Sequence, residues 1–230
     1  MKNIIFLLLL TLLFSCGKEH DLTVKGNIKG LKKGTIYLKK VQDTSIITVD
    51  SLVINGNPIF ELHSDLESPE IFYLQLNKNA GPDENILFFA NKGITEINTS
   101  LKNFALEAKI TGSEQQEALE DYLLIMSRFN DKNLDLIKEN FEAKKSKDTA
   151  KLNANEKAFN SLLKSKYLYT VNFAMSKKDN EIAPYLALTE IADAQIKWLD
   201  TINSVLTPKV KASKYGKELE AFIKERKEMN

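Results

Sequence analysis

Apolar and polar residues alternate in short blocks over the first half of the chain and recur at steps of three and four over the second. The first pattern predicts strands, the second amphipathic helices. Leu22, Val24 and Ile28 alternate up to Gly30, and Ile36 and Leu38 share a face within Gly34–Leu38. Ile46 to Val53 and Ile59 to Leu62 flank an Asn55-Gly56 turn, a pair suited to tight hairpins. Further strands are expected over Ile71–Leu76, Ile86–Phe89, Ile94–Asn98 and Ala105–Ile110. Short strands at even spacing, with no helix between them, predict an antiparallel β-sandwich.

Beyond Gly112 the period changes. Ser113 followed by Gln116 has the capping-box spacing that starts a helix. Leu119, Leu123, Met126, Phe129, Leu134, Ile137 and Phe141 form one stripe; Phe159, Leu163, Tyr167, Val171 and Ala174 form a second. The polar stretch Lys144–Lys151 between them predicts a turn, so the two stripes read as an antiparallel helix hairpin. A third helix is expected from Pro184 through Ile191, and a fourth over Ile196–Val205, stopped near Pro208. A charged last helix should cover Ser213–Lys227. Trp198 is expected to anchor packing in the fourth. The fold class is therefore α+β, with a β-sandwich over residues 22–112 and a helical region with a long hairpin over 113–230. Glycine placement agrees: seven of nine lie between Gly26 and Gly112.

The N-terminus follows neither pattern. After Lys2, an apolar run from Ile4 to Phe14, broken only by Thr11, has the layout of a secretory signal. Its eleven residues would rise about 16 Å as a helix, against roughly 30 Å of hydrocarbon core, too short to span. Leu13-Phe14-Ser15-Cys16 resembles the lipobox of bacterial lipoproteins. That resemblance implies cleavage between Ser15 and Cys16, acylation of Cys16, a signal peptide over residues 1–15 and a tether over 16–21. Several acyl chains give firm anchoring where one holds marginally. Lys18-Glu19 resembles the lysine-plus-acid tag that sorts some lipoproteins to the cell surface.

Three further stretches carry a second resemblance. They are Val24–Gly30 with Gly34–Leu38, Asp50–Gly56 before Ile59-Phe60, and Ile110-Thr111-Gly112-Ser113 before a helix. Together they resemble the domain-of-unknown-function family numbered 4369, from envelope lipoproteins of Gram-negative bacteria in which a thioredoxin-like domain often follows. The resemblance implies an outer-membrane lipoprotein, on the periplasmic or surface face. The redox activity of such relatives has no residue here to carry it, since there is one cysteine and no Cys-x-x-Cys.

Composition narrows the chemistry. A formal net charge of +1 gives no electrostatic case for nucleic acid. His20 and His63 are the only histidines and lie far apart in sequence, so no metal site or cofactor is expected. Adjacent acids such as Glu120-Asp121 point in different directions and do not make a catalytic pair. The candidates for a ligand groove are Phe72, Tyr73, Phe88 and Phe89, and the join near Gly112 should leave a cleft. The expected function is that of a non-enzymatic, lipid-anchored envelope module binding a protein or glycan. The alternative is an accessory to a separate thioredoxin-like oxidoreductase.

Overall fold

A computed structural model describes residues 20–43, 45–77, 81 and 85–229. Eight strands come first: β1 (Leu22–Lys29), β2 (Lys33–Gln42), β3 (Ser45–Asn55), β4 (Ile59–Ser64), β5 (Glu70–Leu76), β6 (Asn85–Ala90), β7 (Gly93–Ser100) and β8 (Lys109–Thr111). Six helices follow: α1 (Glu114–Ser146), α2 (Thr149–Ser176), α3 (Ile182–Glu190), α4 (Ile196–Val205), α5 (Pro208–Lys211) and α6 (Lys214–Glu228). The α+β class read from the sequence is the observed one.

The strands form two four-stranded sheets, ordered β4-β1-β7-β8 and β3-β2-β5-β6. Period-two alternation sends Val24, Ile36, Leu38, Leu62, Phe72, Leu74, Phe88 and Ile97 into the layer between them. One pairing departs from the expected antiparallel pattern: β1 runs parallel to β7, with Leu22 opposite Gly93 and Lys29 opposite Ser100. The chain visits the other sheet between β1 and β7, so no hairpin constrains their relative direction. The two backbones meet closely at Gly26, where a Cβ would fall 1.7 Å from the Ile97 carbonyl oxygen. Only glycine fits that approach.

The expected strand over Ala105–Ile110 shrinks to Lys109–Thr111. Local side-chain bonds hold the preceding residues in turns instead: Thr99 Oγ1 donates to the Phe104 carbonyl at 2.7 Å, and Ser100 and Asn103 both donate to Glu107. The expected polar turn at Lys144–Lys151 also shrinks. Helix α1 continues through Ser146, and the chain reverses at Lys147-Asp148, with Asp148 capping α2 through the Lys151 N–H. Helix α4 ends at Val205, as expected, and Pro208 then opens the short helix α5 from a first-turn position that needs no N–H.

Helices cover the outer face of the second sheet, giving three layers. Strand β5 is buried on both faces, with Phe72 and Leu74 inside the sandwich and Ile71 under the helices. A further helical core gathers Val171, Ala174, Ala187, Leu199, Ile202, Val210 and Leu219.

Candidate functional site

Helix α1 has a root and an arm. At the root, Gly112 makes the turn out of β8 at φ +95°, and its missing Cβ leaves room for the Ile94 carbonyl. Ser113 caps α1 by accepting from the Gln116 N–H at 3.2 Å, as the sequence predicts. The reciprocal half of a capping box is replaced by tertiary bonds. Gln116 Oε1 accepts from the Phe89 N–H at 2.8 Å, and its Nε2 donates to Glu120. Gln115 Nε2 donates to Glu181 at 2.6 Å, and its Oε1 accepts from the Ile182 N–H at 2.8 Å. Ala118, Leu119, Tyr122 and Met126 then pack on Ile71 and Phe89, with Ile182, Leu186 and Tyr215 completing the cluster. The Tyr215 hydroxyl accepts from the Ile71 N–H at 3.0 Å, and Lys214 reaches Glu70, already bonded to Lys40. Burial drives the Tyr215 and Tyr122 hydroxyls far above the usual tyrosine range, so both stay protonated hydrogen-bonding groups.

Past Met126 the character changes. Helices α1 and α2 continue as a two-helix arm in which only Ala143 and Asn155 are fully buried. Phe129, Leu136, Leu152, Phe159 and Leu162 are half-buried. Four members of the expected α1 stripe face outward: Leu123 is 47% exposed, Leu134 62%, Ile137 50% and Phe141 67%. On α2, Leu163 is 47% exposed. A groove of about 320 Å³ lies between α1 and α2, lined by Phe129, Asn130, Asn133, Phe159 and Leu163 among others. The stripes of the sequence reading are thus correctly spaced but only partly covered.

Two further clefts flank the arm's base. One, of about 590 Å³, lies between α2 and the start of α4 and is lined by Asn160, Leu163, Tyr167, Asp193, Gln195 and Trp198. Burial, together with a bond to Asp193, pushes the Tyr167 hydroxyl up to about 12, which fixes it as a donor. The other, of about 410 Å³, lies where the sandwich meets the helices, with Ser68, Asn91 and Lys92 on one side and Glu181, Lys209 and Ser213 on the other. Burial raises the Glu181 carboxyl, against Lys209 and the Gln115 bond, which pull it down. A buried acid near Lys209 can accept hydrogen bonds from a polar ligand.

The model of the family described as domain of unknown function (DUF4369) matches residues 22–119. Residues 22–119 are a DUF4369 domain. No curated protein matches the chain. The DUF4369 match covers the sandwich and continues into α1 through Ser113, Gln115, Gln116, Ala118 and Leu119, the residues that fasten the helix to β6 and to the α2–α3 turn. The exposed face of the arm begins at Leu123, beyond the matched segment.

The aromatic groove expected on the DUF4369 domain does not form. Phe72 and Phe88 stack on each other at 6.0 Å inside the sandwich, and Phe89 lies under the helices against Tyr185 and Tyr215. All three are fully buried, and Tyr73 is partly buried beside the same helical cluster. The physical reason is that helices cover the sheet's outer face at Ile71 and Phe89, so Phe72, Phe88 and Phe89 are interior whichever face they take. Trp198 packs against the helical core as expected, and also lines the larger cleft. The two histidines, distant in sequence, stack at 5.2 Å; His20 Nδ1 meets Asp65, and His63 Nδ1 meets Thr23. No group of three metal-ligating side chains stands together among the described residues. Ser15, Cys16, Lys18 and Glu19, the expected cleavage, lipidation and sorting residues, lie outside the described residues, as does the signal over 1–15. Among the described residues, no helix is long and apolar enough to cross a membrane.

Proposed function

We propose that the chain is a lipid-anchored binding module of the cell envelope, tethered to the outer membrane through acylated Cys16. Its working surface is the apolar face of the α1–α2 arm, and its ligand is a protein surface rather than a small substrate. One observation carries this reading: Leu134, Ile137 and Phe141 stand at least half exposed, in register, on a helix whose root is firmly packed. A contiguous row of exposed apolar side chains is a mark of interaction sites. The lipobox supports the tether, and Lys18-Glu19 supports display at the cell surface.

Fractionation tests the anchor. Cys16→Ala should lose metabolic palmitate label and leave the outer-membrane fraction or accumulate as precursor. Equal labelling and retention in the variant would contradict it. Lys18→Ala with Glu19→Ala should lower cleavage by protease added to intact cells, and equal cleavage would contradict surface sorting.

A further inference from the structure

The exposed side of α1 keeps a strict heptad spacing. Leu123, Ser127, Asn130, Leu134, Ile137 and Phe141 follow one another at steps of four, three, four, three and four, and all six are exposed. This is a coiled-coil seam, distinct from the seam that α1 turns toward α2 through Phe129, Leu136 and Ala143. A helix with a second apolar seam has a place for one more helix along it. Resting on the reading of the arm as the working surface, we propose that the helix on that seam is α1 of a second copy of this chain, packed antiparallel against the first.

Charge selects that occupant and its orientation. Helix α1 is acidic at its root, with Glu114, Glu117, Glu120 and Asp121, and basic at its tip, with Lys144, Lys145 and Lys147. An antiparallel second copy points each basic tip toward the acidic end of the other's helix, with Glu120 and Asp121 one turn beyond it, whereas a parallel copy sets like against like. The register follows from the same residues. Setting Leu134 of one copy opposite Ile137 of the other places Asn130 opposite Phe141. It also puts Asp131 beside Lys138 of the second copy, twice by symmetry. That register also carries each tip, at Lys147, to Leu124 of the other copy, where the helix enters its body. The seam therefore has the length its own copy needs.

Size sets the strength. About 25 paired residues rising ~1.5 Å each, along one helix roughly 10 Å wide, cover on the order of 400 Å² per copy, the size of a weak, reversible interface.

Sedimentation velocity on the chain from Gly17, which retains every described residue, tests the pairing. The parent should pass from monomer to dimer between about 1 and 200 μM. Leu134→Glu with Ile137→Glu should weaken association at least about 100-fold, with helical circular dichroism unchanged because both positions are exposed. Asp131→Lys alone and Lys138→Asp alone should each weaken it about 5-fold, and the two together should restore it to near the parent value. A parent that stays monomeric, or charge changes whose combination does not restore association, overturns the dimer. The reading of the arm as a working surface fails separately, if Leu134→Glu with Ile137→Glu changes no association of the protein in cells.

Discussion

The root and the arm of α1 share one helix and one periodicity, yet have opposite surroundings. From Gln115 to Met126 the inward positions meet Ile71, Phe89, Leu186 and Tyr215. From Leu134 to Phe141 the side chains of the stripe are at least half exposed. The difference lies in the partner elements rather than in the helix. A root residue has a sheet, a second helix and α6 around it, whereas among the described residues the arm's main packing partner is α2. Stability should therefore be concentrated at the root, and substitutions should have unequal effects at the two ends of one helix.

The largest effect is expected from Phe89→Ala, which empties a fully buried ring position between Tyr185 and Tyr215. It should cost about 3–5 kcal/mol in urea unfolding. A smaller loss, about 1–3 kcal/mol, is expected from Tyr215→Phe, which leaves the buried Ile71 N–H without its acceptor. Faster exchange at that amide should accompany it. If either change costs under about 0.5 kcal/mol, the root is not where the helical part is held.

A pH measurement sharpens the same contrast. Burial raises the folded-state pKa of Glu181 above the usual carboxylate range. A raised acid binds its proton more tightly when folded, so Glu181 costs no stability below its unfolded pKa and costs more as pH climbs through the folded one. Glu181→Gln should remove that loss, leaving the variant more stable than the parent at pH 7 and no more stable at pH 4. A difference that shrinks as pH rises would reverse the sign and refute the buried-acid account.

The smallest effects belong to the arm. Leu134→Ala or Phe141→Ala should change unfolding by less than about 0.5 kcal/mol at protein concentrations where the chain is monomeric. A loss above about 2 kcal/mol would mean that the arm's outer face is covered within the chain.

What could be read before the structure follows the same line. Strand alternation, the Ser113 cap and the helix periods place nearly every element, because these are local consequences of side-chain spacing. The direction of β7 beside β1 was not legible, since it depends on a crossing between sheets that leaves only Gly26 as a trace. The aromatic strand residues misled for a related reason: Phe72, Phe88 and Phe89 show an apolar run, but the run does not say whether a ligand or a layer of helices covers it. The stacking of His20 on His63 and the role of Gln116 at Phe89 are long-range pairings with no signature in spacing. The arm stripes had the right residues, but periodicity records which side chains share a face and not what lies against it.

Site-specific photocrosslinking in intact cells tests the central claim most directly. A photoreactive residue at position 137 should give a protein adduct of defined size that disappears when Leu134→Glu is added, while one at the exposed Lys157 position of α2 should give none. Equal adducts from the two positions, or none from 137, would contradict the arm's apolar face as the surface by which this module works.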